Sequence, residues 1–141
     1  MTDRGEAPGE AAGYAPGLDE IERLALAAVE TLPEVFRSPA RGVVLRVEDL
    51  AEDGLLDETG IDDPFELTGL YDGIPLTLKS VSDPAPQPDV IWLFRRAILD
   101  EWIARGDVTL EALVAHVMVH ELAHHFGWSD ADIAAIDRWW E

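Results

Sequence analysis

Between Thr109 and Phe126 the chain carries a stretch whose residues suit a helix with almost no surface to spare for water. At about 100° per residue, Ala115, Val119, Leu122 and Phe126 gather on one arc. Leu113, Val114 and Val117 fall on the other side. A helix that is apolar nearly all round has to be enclosed by other elements. Its ends are marked: Asp107 or Thr109 can cap the start, Glu111 sits in the first turn, and Gly127 suits the C-terminal cap. All four histidines of the chain, His116, His120, His124 and His125, lie on this one helix, with Glu121 among them. Buried imidazoles and a buried carboxylate need partners, and a metal ion is one such partner.

The rest of the chain has to supply the enclosure. With 141 residues, it suits one domain with a modest core. Residues 1–17, rich in Gly, Ala, Pro and Glu, have nothing periodic to bury and are expected to be a disordered tail. The folded domain is expected over residues 18–141. From Leu18, apolar positions recur at three and four residues through Leu32, an amphipathic helix stopped by Pro33. Residues 42–48 are short and β-branched, a strand. Residues 49–59 are acidic and read as a loop with a short helical turn. Residues 70–77 predict a second strand, interrupted at Gly73 and Pro75 and therefore at an edge or in a hairpin. Residues 79–89, with Pro84, Pro86 and Pro88, form an exposed connector. A third strand follows over residues 90–94 and a short helix over residues 95–105. Ser129 and Asp132 are spaced as a capping box for a last helix over residues 130–140, with Trp128, Trp139 and Trp140 as its apolar anchors. The order predicts an α+β fold: about three strands packed with an N-terminal helix, the histidine helix and a C-terminal helix.

Composition narrows the chemistry. There is no cysteine, which excludes a disulfide framework, thiolate zinc fingers and a cysteine nucleophile. A net charge of −19, from 29 acidic and 10 basic residues, repels phosphate backbones and anionic lipid surfaces. Nucleic acid and membrane are thus not expected as partners. Acidic surface charge also serves solubility alone. Neither a secretory signal nor an apolar run of membrane-spanning length is present, so a cytoplasmic location is expected.

The spacing inside the histidine helix is specific. Residues four apart share a helical face, so His120 and His124 can both turn a ring nitrogen to one ion. Glu121 sits beside that face, placed to take a proton from water at the metal. Gly127 can adopt positive φ and swing the chain around, which brings Asp130 within reach as a third ligand. Asp130 also follows the cap Ser129, where an acidic residue favours the helix dipole, and Asp132 and Asp137 are alternative ligands. His116 is about 12 Å of helix rise from His124 and cannot share one tetrahedral ion with both ligands. It is expected to pack or to hydrogen-bond behind them. His125 can meet an oxyanion or reach solvent. Tyr71, Arg95 and Arg96 are candidate electrophilic groups.

At these residues the chain resembles the bacterial minimal zincin-like metallopeptidases. The likeness lies in His120-Glu121-Leu122-Ala123-His124-His125-Phe126-Gly127-Trp128-Ser129-Asp130, in Leu67 to Leu76 and in Pro88 to Arg96, and spans roughly residues 18 to 140. It implies a compact zincin core, a Zn2+ ion on His120, His124 and Asp130, and Glu121 as general base toward a peptide or protein substrate. Eleven residues follow Asp130, too few for a separate Met-turn beneath the metal. The same residues admit a second function: a non-catalytic module in which zinc stabilises the fold and the acidic surface binds a basic protein.

Overall fold

The computed structural model describes residues 15–73 and 89–128. Helix α1 spans Leu18–Glu30 and buries Ile21, Leu24, Ala25, Ala28 and Val29, the face that its three-and-four spacing marks out. It ends where the Thr31 hydroxyl donates to the Ala28 carbonyl at 2.7 Å. Pro33 does more than stop α1, because it opens a second helix, α2 (Glu34–Ala40), that the sequence pattern does not announce.

Among the described residues three strands form one mixed sheet: β1 (Val44–Glu48), β2 (Gly69–Asp72) and β3 (Val90–Phe94), in the order β1-β3-β2. β1 runs parallel to β3, with Val44 opposite Val90 and Glu48 opposite Phe94. β2 is antiparallel to β3, with Gly69 opposite Leu93 and Asp72 opposite Val90. The unbroken apolar run of β3 suits a central strand covered on both faces. Ile91 and Leu93 join a core built with α1 and the histidine helix. Phe94 belongs to a second cluster with Ala51, Leu56, Leu67 and Ala97, against which Trp92, Leu70 and Ile61 pack.

The acidic stretch after β1 is more regular than a loop with one turn. It holds α3 (Asp53–Thr59), which ends at Gly60 in the left-handed region (φ 77°). A 3-10 turn over Pro64–Glu66 follows, with the Asp63 carboxylate accepting from the Phe65 amide at 3.0 Å. Helix α4 (Arg95–Arg105) grows directly out of β3, and α5 (Leu110–His125) is the histidine helix. Thr109 caps α5 through its hydroxyl, which accepts from the Ala112 amide at 3.0 Å. Helix α5 packs against α1, α4, β2 and β3, the enclosure that its all-round apolar surface requires.

The architecture is α+β, as expected. The second strand is described over Gly69–Asp72, Gly73 follows as a bend, and residues 74–77 of the expected strand lie outside the described residues. So does the helix expected over 130–140. Of the expected tail, residues 1–14 also lie outside, but Pro16 is fixed: its carbonyl accepts from Arg95 Nε at 2.6 Å. No helix among the described residues is long and apolar enough to cross a membrane.

Candidate metal centre

The C-terminal half of α5 faces a cavity of about 690 Å³. His120, Glu121 and His124 line it from the helix, and Gly69, Leu70 and Tyr71 from β2. His120 and His124 stand one turn apart with ring centroids 5.1 Å from each other and planes 77° apart. The His116 ring is a further turn back, 6.0 Å from His120, and is not among the residues lining the cavity.

What holds His124 is the way the helix ends. Gly127 takes φ 95°, open to glycine at little cost. Its amide bonds to the His124 carbonyl and the Trp128 amide to the Ala123 carbonyl, both at 2.9 Å. These are the two bonds of a Schellman turn. The turn folds the Trp128 carbonyl back over the last helical turn, 3.0 Å from His124 Nδ1. A carbonyl can only accept, so in the neutral ring the proton sits on Nδ1 and the lone pair on Nε2. That tautomer is the one a metal would use, and such support commonly raises metal affinity.

The helix and β2 approach closely because position 69 has no side chain. A Cβ there would lie 2.7 Å from Val117 Cγ1, 3.3 Å from Glu121 Cγ and 3.3 Å from the Trp92 carbonyl oxygen. Gly69 thus sets the spacing between Glu121 and β2.

Behind the cavity lies a polar triangle that spacing alone does not reveal. His125 Nδ1 is 2.8 Å from Asp89 Oδ2, and both side chains are buried. The Tyr71 hydroxyl donates to the same Asp89 oxygen at 2.9 Å and is 3.3 Å from His125 Nδ1. Burial first, then the bond to Asp89, holds the Tyr71 phenol well above its usual range, so it stays neutral. His125, 4% exposed, does not reach solvent, and Tyr71 has its hydroxyl turned to Asp89. Asp89 itself, expected within an exposed connector, is 5% exposed. One signal was available: a Cβ at Gly73 would lie 2.5 Å from Asp89 Oδ1, and a glycine inside a strand pattern often marks a close approach of this kind.

Arg95 and Arg96 are occupied elsewhere. Arg95 ties Asp49, at 2.8 Å, and Pro16 to the start of α4. Arg96 lies over the Phe65 ring, 5.4 Å from its centroid.

Among the described residues no set of three or more His, Asp or Glu converges as a complete metal site. His120 and His124 provide two nitrogen donors, and the third expected ligand, Asp130, lies outside the described residues, as do Asp132 and Asp137. The donor chemistry fits zinc: two imidazoles on one face, one of them with its tautomer fixed, and an adjacent carboxylate. A family model described as a zincin-like metallopeptidase matches residues 40–140. No curated protein matches the chain.

Proposed function

The chain belongs to the zincin-like metallopeptidase family, and on that premise we propose that it is a zinc-dependent peptidase with His120, His124 and Asp130 as ligands and Glu121 as general base. The observation that carries the proposal is that His120, Glu121 and His124 share one open cavity with strand β2 of the sheet. Zinc, when bound, supplies Lewis acidity that polarises a carbonyl and lowers the pKa of water toward neutrality.

The remaining work falls to the protein. Glu121 accepts the proton of the attacking water and returns it to the departing amine. The Trp128 carbonyl keeps the His124 lone pair on Nε2. Among the described residues β2 pairs on one side only, with β3, and a free second edge would align an extended peptide by backbone hydrogen bonds. A peptide also suits the net charge of −19 better than a phosphate-bearing polymer does.

The test compares metal content and peptide turnover in four proteins. By mass spectrometry the wild type should hold one zinc per chain, weakened in His124→Ala and Asp130→Ala. Glu121→Gln should keep the zinc and lose turnover of a peptide library by about 10²–10⁴-fold. Unchanged turnover in Glu121→Gln would remove the general base from the mechanism. A folded wild type that takes up no zinc would remove the metal as well.

A further inference from the structure

The cavity does not stop at the histidines. Along β2 the side chains alternate: Gly69 and Tyr71 face α5, whereas Leu70 belongs with the second core cluster on the sheet's other face. Both Leu70 and Tyr71 line the cavity, so it passes over the edge of the strand. On that far side the described lining residues are Thr59, Ile61, Leu67 and Leu70. Ile61 and Leu70 are only partly covered, an open margin of the second core cluster.

This wall offers little to a polar group. The Thr59 hydroxyl is used within its own turn, donating to the Leu56 carbonyl at 3.1 Å and accepting from the Ile61 amide at 3.4 Å. The left-handed Gly60 makes that turn and brings Ile61 back to the wall. A charged side chain placed against these four residues would lose water and gain no charged partner from them. An aliphatic or aromatic one would bury apolar surface at about 25 cal/mol per Å². The volume of about 690 Å³ is within the range of pockets that hold a ligand of several groups, more than a metal and one carbonyl need.

We infer that Thr59, Ile61, Leu67 and Leu70 form a specificity subsite that receives a large apolar side chain, aliphatic or aromatic, of the residue next to the scissile bond. The inference rests on the peptidase reading and deepens it: the substrate class is a peptide with such a residue beside the cleaved bond.

The experiment uses the zinc-loaded full chain and the hydroxamates of glycine, leucine, phenylalanine and aspartic acid, with binding measured by calorimetry and methyl resonances followed by NMR. The leucine and phenylalanine compounds should bind at least about tenfold tighter than the glycine one, from the added apolar burial. The aspartic compound should gain nothing over glycine. Methyl signals of Ile61, Leu67 and Leu70 should move with the leucine and phenylalanine compounds only. In Ile61→Ala the margin between leucine and glycine should shrink, and if that variant does not fold, the wild-type series decides alone. Equal binding of glycine and leucine compounds, with the wall methyls unmoved, would overturn the subsite and leave the metal site standing. Failure of all four to bind would overturn both.

Discussion

Gly69→Ala adds one methyl group at the closest point between β2 and α5. The new carbon would lie 2.7 Å from Val117 Cγ1, inside the distance that carbon atoms tolerate. Val117 cannot swing away cheaply: it is β-branched, held to essentially one rotamer in a helix, and 5% exposed. The Trp92 carbonyl at 3.3 Å closes the retreat toward the sheet. Overpacking of this kind costs about 1–3 kcal/mol. The same substitution at Gly54, in α3, meets nothing within 4 Å. There it should stabilise by about 0.5–1 kcal/mol through helix propensity alone. Urea unfolding of the three proteins reads both effects. With a slope of about 2 kcal/mol per molar, Gly69→Ala should lower the midpoint by about 0.5–1.5 M while Gly54→Ala raises it slightly. Because Glu121 Cγ is also within 3.3 Å, peptide turnover should fall further than zinc affinity does. A Gly69→Ala protein as stable as wild type would mean that the helix and strand are not in contact there.

Three further outcomes follow from the site. Gly127→Ala forces an L-residue to φ 95°, so it should cost about 1–2 kcal/mol. By disturbing the Trp128 carbonyl it should also weaken zinc binding about 10–100-fold in a chelator competition. Asp89→Asn leaves His125 and Tyr71 around a neutral amide and should destabilise by about 3 kcal/mol or more, against about 1 kcal/mol for Tyr71→Phe, in chemical denaturation. Since the Tyr71 pKa is raised on folding, the native state keeps its proton above pH 10 while the unfolded chain releases it. Wild-type stability therefore falls as pH climbs past about 10, and the gap to Tyr71→Phe, measured by unfolding between pH 8 and 11, should narrow there.

Strong local patterns were legible in the sequence. The strand Val90–Phe94, the helix Arg95–Arg105 and the Thr109 cap appear where the residues place them, and Gly127 has the positive φ that the path beyond α5 requires. The placement of His120, Glu121 and His124 on one cavity also follows from helical spacing. Helix α2 was not legible because only Ala40 of its seven residues is buried, and Pro39 lies inside it. The triangle of Tyr71, Asp89 and His125 was hidden for another reason. Its members are 18 and 54 residues apart, and no periodicity carries a contact between a strand, a strand end and a helix. The sheet order is likewise a tertiary fact: nothing in three short strands says that the last one lies between the other two.

That order also sets a timetable. Among the described residues β1 and β2 have no bond to each other and pair only with β3, whose first residue comes 18 after Asp72 and 42 after Glu48. On a ribosome adding about 5–20 residues per second, the first two strands must wait a few seconds for their common partner. The edges that each will turn to β3 are unpaired in that interval. The helix that bears His120, Glu121 and His124 is made later still, so it meets a sheet already able to form, and the cavity is assembled among the last parts of the molecule.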